Sequence, residues 1–324
     1  MEFDVDRTYI HAKVHALRGS FLRREDYRRL LDGEGPRSSF PGLTDKDGGE
    51  NYDLLKERIF RREIGKILLL VDAGNFYRDF FIGFLRLFEL GNVKLLLSRF
   101  TGRPTTPQVW CDISPHDQFP RKFLTVDFSL YRLNDFFRDT YLSDILAADF
   151  HERYEMIENR IDASALWLFI AAARPFSEPD RRIISAVMLK RVLILEMLWE
   201  GRLKQYYQWA DEEIREHLAP LEDLKRELSA GDEKMLRCER RKLRALLEDG
   251  ESEQPRISAW EMRLERYFWS HLWTLYFREF HSASSIIAYL WLLYYQIQNL
   301  FRVVEGFRLG IDAKIQLDHI VCGV

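Results

Sequence analysis

The sequence predicts an all-α protein made of several helical bundles. Apolar residues return at helical spacing along most of the chain, beginning near positions 10, 14, 17, 21 and 30, which is the pattern of an amphipathic helix. No convincing alternation of apolar and polar residues is present, so no half-buried strand is expected. KILLLV at 66–71 has the composition of a buried strand, but it continues a helical pattern and is not enriched in β-branched residues.

Loops rich in glycine, proline and small polar residues separate the predicted helices. The first helix spans 9–31 and is followed by a loop at 32–52, and a second long loop at 101–121 contains four prolines. The charged stretch 211–248 is expected to form a helical hairpin broken at Gly231. The other predicted helices span 52–71, 76–100, 126–149, 152–174, 180–209, 257–281 and 284–310, with a short last helix ending near Val321. The expected N-caps are Asn75, Asp232, Ser258, Ser284 and Asp312.

The composition argues against several classes of protein. The 48 Lys and Arg residues are balanced by 51 Asp and Glu residues, so the basic excess typical of nucleic-acid-binding proteins is missing. Three scattered cysteines do not make a disulfide framework, and a reducing cytosol is therefore the expected compartment. The most apolar run, 286–295, is about half as long as a bilayer span requires. With no signal peptide in its acidic opening, the chain is predicted to be soluble and cytoplasmic.

Three helical segments resemble one another, at 84–100, 188–202 and 289–307. The first and third align with Asn92 on Asn299, and each asparagine lies between two apolar stretches. The repeat length is about 100 residues, which is much longer than the roughly 20 to 50 residues of solenoid repeats. This pattern predicts three tandem helical subdomains around a pseudo-threefold axis.

Two pairs of residues in these repeats are unusual inside helices. Asn92 and Asn299 are poor helix formers at mid-helix positions, and we expect each amide to bond a backbone group of a neighbouring helix and fix the packing register. The second repeat has Ile194 at the asparagine position. Gly201 and Gly306 occupy matching places, where a close approach of another helix or a local helix end would offset the cost of glycine.

No motif for catalysis or cofactor binding is found. The phosphate-binding, nucleophile-elbow, dinucleotide-binding and CxxC patterns are all missing. His11 and His15 lie one turn apart, but no third metal ligand accompanies them. The acidic stretch DEEIRE at 211–216 leaves open a helical, magnesium-dependent enzyme acting on a diphosphate, provided that its carboxylates face an apolar cavity. The sequence otherwise predicts no cofactor, no metal and no small-molecule substrate.

Several segments resemble one family, the central-stalk adaptors of V/A-type rotary ATPases. These adaptors are the C-type subunits of bacterial and archaeal enzymes and the d-type subunits of eukaryotic ones. The opening YIHAKVHALRGSFLRREDYRRLLD at 9–32 resembles the start of the family, and AYLWLLYYQIQNLFRVVEGFRLGI at 288–311 resembles its C-terminal signature. ELGNVKLLLSRFTGR at 89–103 is similar to the equivalent N-terminal helix, and IDAKIQLDHIV at 311–321 is similar to the terminal helix.

The resemblance implies a funnel of three similar helical subdomains, at 1–122, 123–210 and 211–324. Such a funnel binds the cytoplasmic face of the membrane rotor ring and receives the foot of the central stalk, and it transmits torque without doing chemistry. Its partners would be central-stalk rotor subunits and the ring, with membrane contact only through the complex. Five arginines near the ends of the repeated helices are candidates to line one mouth of the funnel and meet acidic stalk residues: Arg99, Arg103, Arg202, Arg302 and Arg308.

A helical scaffold unrelated to any ATPase is the other alternative. It predicts neither a pseudo-threefold arrangement nor an association with rotor subunits. Solvated arginines near helix C-termini would also be expected in such a scaffold, because the helix dipole favours cations there.

Overall fold

A computed structural model of the chain describes residues 2–33, 40, 51–73, 76–100, 109–119, 121, 123, 138–143, 154–248, 257–278 and 282–323. Every regular element within these residues is helical, so the predicted all-α class is confirmed. The chain divides into two compact units: unit 1 contains Met1–Ala172 and Leu293–Ile320, and unit 2 contains Ala173–Leu292 and Val321–Gly323. These limits do not coincide with boundaries at 122 and 210, and the division into three subdomains stays a prediction. No helix in the described part of the chain is both long and apolar enough to span a bilayer.

The described helices are α1 (Glu2–Ala16), α2 (Arg24–Leu31), α3 (Tyr52–Ala73), α4 (Arg78–Phe100), α5 (Tyr154–Ala171), α6 (Glu178–Arg202), α7 (Asp211–Leu228), α8 (Glu233–Glu248), α9 (Ile257–Arg278), α10 (Ala283–Leu309) and α11 (Ala313–Asp318). A 3₁₀ turn at Leu17–Ser20 follows α1, and a π-turn at Leu203–Tyr207 follows α6. Helix α10 contributes its first part to unit 2 and its part from Leu293 onward to unit 1.

Aromatic packing joins α4 to α5 in unit 1. Phe80 stacks on Phe169 with ring centroids 4.7 Å apart, and Phe84 meets the same ring edge-on at 5.4 Å. Gly83 lies between these two phenylalanines, and a Cβ there would be in ordinary contact with Phe169 and Ala172 at 3.4–3.5 Å. The aromatic residues of this region therefore serve helix packing, and they bury a large apolar area per residue.

Helix α6 is buried along most of its length and forms the centre of unit 2. Helices α7, α8 and α9 pack against it. Glu196 of α6 accepts hydrogen bonds from Lys225 of α7 and Arg240 of α8, each at 2.6 Å. Arg191 of α6 donates to Glu265 of α9 at 2.7 Å. Buried charges thus cross-link the central helix to all three neighbours.

The single helix predicted over 9–31 is wrong, because the chain is interrupted within it. Helix α1 ends at Ala16, and α2 starts at Arg24 after the 3₁₀ turn and a short extended stretch. Arg23 has an extended backbone, and its N–H donates to the Asp26 carboxylate at 2.8 Å. Asp26 therefore caps a new helix in the middle of a continuous amphipathic pattern.

Several predicted helix starts shift by one or two residues. Helix α6 begins at Glu178 rather than Asp180, because Ser177 is the N-cap and its hydroxyl accepts the Asp180 N–H at 3.4 Å. Ser258 and Ser284 are not N-caps, because each is the second residue inside its helix. Such shifts are expected when several small polar residues compete for one cap.

The helical hairpin predicted over 211–248 is confirmed, and it is interrupted at Gly231 as expected. Gly231 has a left-handed backbone with φ +79°, and Asp232 caps α8 by accepting the Met235 N–H at 3.0 Å. Asp312 also acts as the predicted cap, for α11.

The helix predicted over 126–149 is wrong at 138–142, where the chain forms turns. The rest of that range, except Ser143, and the predicted cap Asn75 lie outside the described residues.

Candidate functional site

The end of the third repeated helix, α10, is a rigid turn into α11. Gly310 ends the helix with φ +64°, and the Ile311 N–H returns to the Gly306 carbonyl at 2.9 Å. Asp312 accepts the backbone N–H groups of Lys314 and Ile315 at 2.9 and 3.4 Å. This left-handed closure satisfies helix-end carbonyls and fixes the direction of the tail.

The side chain of Gln316 lies across Gly306. A Cβ at this position would be 1.9 Å from Gln316 Oε1 and 2.1 Å from Cδ. Gln316 is buried, and its Nε2 donates to the Ile311 carbonyl at 2.7 Å. The absence of a side chain at Gly306 therefore leaves room for Gln316, which connects α11 to the end of α10.

Gly306→Ala should displace the Gln316 side chain and loosen the turn before α11, while α11 keeps its packing on α2. We expect about 1–2 kcal/mol of destabilisation, since the buried amide loses its hydrogen bond while alanine gains a little helix propensity. Differential scanning calorimetry and hydrogen exchange of 311–318 measure the effect. Gly91→Ala in α4 is the matched control, because no atom lies within 4 Å of its added Cβ, and it should be stabilising by about 0.5–1 kcal/mol. Equal stability of the two variants would contradict the assignment.

Asn299 is buried about two turns before Gly306 and bonds to side chains. Its Nδ2 lies 3.5 Å from the Tyr27 hydroxyl of α2, and its Oδ1 accepts Arg302 Nη1 at 3.2 Å. Arg302 also donates to the His319 carbonyl at 3.4 Å. These bonds link α10 to α2 and, through Arg302, to the tail, and a backbone partner for Asn299 stays a prediction.

Arg308 is part of an ion-pair group at the same helix end. It donates to Glu305 through Nε at 2.8 Å, and Lys56 of α3 bonds the other carboxylate oxygen at 2.5 Å. The Arg308 guanidinium and the Lys56 ammonium lower the pKa of Glu305 to about 2 despite its partial burial. Glu305 therefore stays ionised at any physiological pH.

Three apolar side chains are exposed on this ordered turn, and we call them the tail patch: Leu309, Ile311 and Ile315. Their exposed fractions are 58%, 38% and 53%. Arg308 and Lys314 are also exposed at the edges of the same turn. An apolar patch held rigid by hydrogen bonds is typical of a surface that another protein covers.

The second repeated helix, α6, has a different end. A Cβ on Gly201 would be 2.8 Å from Ile257 and 3.2 Å from Trp260, so the glycine admits α9 at close range. Arg202 next to it donates to Glu261 of α9 at 2.8 Å. Gly201 and Gly306 both allow a close approach, but by different neighbours.

The π-turn after Arg202 ends at Gln208, which has a left-handed backbone with φ +53°. Tyr206 and Tyr207 on this turn are 63% and 48% exposed. A cleft of about 840 Å³ lies beside the turn, and Trp260 is part of its wall. The cleft is lined by both anionic and cationic side chains, namely Glu200, Lys204 and Arg244. Its charge therefore does not favour an anionic or a cationic ligand.

In the first repeated helix, α4, Asn92 makes two hydrogen bonds to one residue. Its Oδ1 accepts the Cys111 N–H and its Nδ2 donates to the Cys111 carbonyl, both at 2.8 Å. Glu89, one turn earlier, accepts the N–H groups of Gln118 and Phe119 at 2.6 and 2.8 Å. These two side chains hold an irregular segment, 109–119, rather than a helix.

The described candidate arginines belong to both units, with Arg202 in unit 2 and Arg302 and Arg308 in unit 1, and their convergence on one mouth of a funnel stays a prediction. Arg202 and Arg308 bond carboxylates of their own unit, and Arg302 bonds the amide of Asn299 and a backbone carbonyl. Arg99 is exposed near the end of α4, and Arg103 lies outside the described residues. The three bonded arginines thus serve first to fix helix ends.

The buried polar residues of unit 1 that sequence reasoning missed include Glu89 and Gln296. Gln296 accepts the Leu22 N–H at 2.8 Å and donates to the Ser20 carbonyl and the Glu63 carboxylate. It therefore satisfies the backbone where the predicted first helix is interrupted. The available signal was a polar residue inside an apolar helical run, which is costly to bury unless it is bonded.

The acidic stretch 211–216 starts α7 and does not face an apolar cavity. Asp211, Glu212 and Glu216 are exposed. Glu212 bonds Arg215 at 2.8 Å, and Glu213 caps the helix by accepting the Ala210 N–H at 3.0 Å. Within the described ranges, no group of three His, Cys, Asp or Glu side chains is placed to hold a metal ion.

One protein family matches nearly the whole chain. The family model described as ATP synthase (C/AC39) subunit covers residues 10–316 of the 324-residue sequence. That interval contains all three repeated helices, the turn at Gly306 and most of α11. A search of curated proteins gives no significant match. The chain therefore belongs to the ATP synthase (C/AC39) subunit family of V/A-type rotary ATPases.

Proposed function

We propose that this chain is a non-catalytic rotor adaptor, which links the soluble central stalk of a V/A-type ATPase to its membrane ring and transmits torque between them. The observation that carries the proposal is the family match over residues 10–316. In this proposal the three subdomains at 1–122, 123–210 and 211–324 form a funnel on the cytoplasmic side of the membrane. The adaptor uses no cofactor, binds no nucleic acid or small substrate, and reaches the membrane only through the complex.

The apolar side chains of the tail patch and the charges around it indicate what kind of protein partner would bind there. Nearby carboxylates are already committed: Glu305 to Lys56 and Arg308, Asp318 to Arg24 at 3.5 Å, and Asp312 to the start of α11. Arg308 is itself paired with Glu305, and Lys314 at the edge of the patch offers a cation to a carboxylate of a partner. A helix carrying both apolar side chains and a carboxylate would complement the patch, and we propose that a rotor protein supplies that helix.

Co-purification from native membranes tests the adaptor role. A tagged chain is expressed in place of the native copy, the complex is solubilised in mild detergent, and its components are identified by mass spectrometry. We expect central-stalk and ring subunits in stoichiometric amounts. An intact ATPase that can be isolated without this chain would contradict the proposal.

The double variant Leu309→Asp/Ile315→Asp should release the partner while the fold remains. We expect at least a tenfold loss of recovered central-stalk subunits, because two carboxylates would replace the apolar anchors of the interface. Leu69→Asp is the matched control, since Leu69 is 53% exposed on α3 and lies outside the patch. Unchanged recovery with the double variant, or an equal loss with the control, would contradict the assignment of the patch.

A further inference from the structure

The segment 109–119 is held on α4 by side chains rather than by regular secondary structure. Asn92 and Glu89 together bond the backbone at Cys111, Gln118 and Phe119. Gln118 in turn accepts the Tyr141 N–H at 3.0 Å, which ties the turn at 138–142 to the segment. Two residues of one helix therefore contribute to how firmly this part of unit 1 is held.

The segment covers an apolar core. Trp110 is 4% exposed, and Ile113 and Phe119 are completely buried. Trp110 and Phe119 pack with Leu142 and with apolar residues of α4 and α5 in one cluster. Release of the segment would therefore open the core of unit 1 next to the first repeated helix.

Glu89 is an unusual residue for such a contact, because its carboxyl is completely buried. One oxygen, Oε1, accepts both backbone N–H groups. The other oxygen, Oε2, is buried without a hydrogen-bond partner in the described structure, as are Arg86 Nε and the Tyr141 hydroxyl. A proton on Oε2 would remove the uncompensated charge while Oε1 continued to accept both N–H groups.

We propose that Glu89 is a pH-responsive latch, which holds the segment 109–119 firmly on α4 when its carboxyl is protonated and loosens the segment when the carboxyl ionises. This regulation is internal to the chain and does not depend on the partners of the proposed adaptor. Its ligand is the proton itself, bound at Oε2.

The groups around Glu89 determine the pH at which its carboxyl ionises. Burial raises the pKa of Glu89 from 4.5 to about 7, although the bonds from Phe119 and Gln118 and the charge of Arg86 favour the carboxylate. The charge of Asp117 raises the same pKa slightly further. Ion pairs on the packed elements join Glu57 to Arg121 and Arg61 to Asp112 beside α3, and Lys94 of α4 to Glu158 and Asp162 of α5. Asp72 of α3 and Arg78 of α4 are charged groups that act on His116 of the segment.

The sign of the effect follows from proton linkage. The folded state binds the Glu89 proton more tightly than the unfolded state, so its stabilising effect is complete below pH 4.5 and is lost as the pH rises through about 7. Between pH 6 and pH 8 the open fraction of the segment should increase about tenfold. His116 in the same segment acts in the opposite direction, because burial lowers its pKa and its protonation disfavours the folded state as the pH falls.

Hydrogen exchange of the full-length chain at pH 6 and pH 8, corrected for the intrinsic rates, tests the latch. We expect about tenfold less protection of 109–119 at pH 8, with unchanged protection of a reference peptide in α10. Glu89→Gln keeps the Oε1 acceptor without the titration and should show equal protection at both pH values. His116→Gln should retain the tenfold change.

The wild-type profile alone can overturn the proposal, even if Glu89→Gln does not fold. Equal protection at pH 6 and pH 8, or greater protection at pH 8, would contradict the latch. A tenfold change that survives in Glu89→Gln would assign the titration to another group. Asn92→Ala is the complementary variant, because it should loosen the segment at both pH values and leave the ratio unchanged.

Discussion

Glu196→Leu should lower the free energy of unfolding of unit 2 by about 3–5 kcal/mol. The reason is that Lys225 is 1% exposed and would be left with Glu222 alone, while Arg240 would lose its bond to Glu196. Burial disfavours the Glu196 carboxylate, but Arg240 and Lys225 keep its pKa below 4.5. The network's stabilising effect is therefore present above pH 4.5 and is lost as the pH falls through the lowered value.

Urea denaturation followed by circular dichroism measures this loss. The double variant Glu196→Leu/Lys225→Leu should recover most of the stability, because a buried pair replaced by apolar residues costs far less than one broken partner. Arg182→Ala is the control, since its pair with Glu178 on α6 is exposed on both sides and should contribute less than about 1 kcal/mol. A double variant as unstable as the single one would show that packing, not charge, dominates at this site.

Asn92→Ala should lower the free energy of unfolding by about 2–5 kcal/mol, because alanine leaves both the N–H and the carbonyl of Cys111 without their partner. Both groups are buried, and each unsatisfied group costs about 1–3 kcal/mol. The loss should be seen as a lower midpoint in chemical denaturation and as fast exchange of the Cys111 amide.

Asn92→Asp separates the two hydrogen bonds of this side chain. An aspartate still accepts the Cys111 N–H, but it offers no donor to the carbonyl and adds a buried charge. We therefore expect Asn92→Asp to be at least as destabilising as Asn92→Ala near neutral pH and less so in acid. A stability within about 0.5 kcal/mol of wild type for either variant would contradict the role given to the amide.

Helix positions could be predicted from the sequence because periodicity and caps are local signals. The break at Gly231 and the cap at Asp232 follow from residue types alone. The interruption before Arg24 could not be predicted, since the amphipathic pattern runs through it and Gln296, 274 residues from Leu22, satisfies the exposed backbone there. The helix expected at 138–142 was wrong because Thr140 supplies a local side-chain bond to the Leu142 N–H at 3.2 Å.

The roles of single residues were harder to predict than the helices. The unfavourable helix propensity of Asn92 marked it as unusual, but its partner in an irregular segment was not foreseeable. Glu89 resembles any other glutamate of an amphipathic helix, and its backbone partners lie 29 and 30 residues further along the chain. Gly306 was notable for its position in the sequence repeat. Its neighbour Gln316 could be identified only from the structure, in which the Gln316 side chain lies across the glycine.

The π-turn at Leu203–Tyr207 affects how this chain can be aligned with its relatives. Each π-type hydrogen bond encloses one residue more than an α-helical bond, so the turn accommodates an extra residue with little change in helix length. A relative whose helix continues regularly at this point would lack one residue. The correct alignment would then need a gap at the end of the helix, and an ungapped alignment would misplace every residue from Gln208 onward by one position.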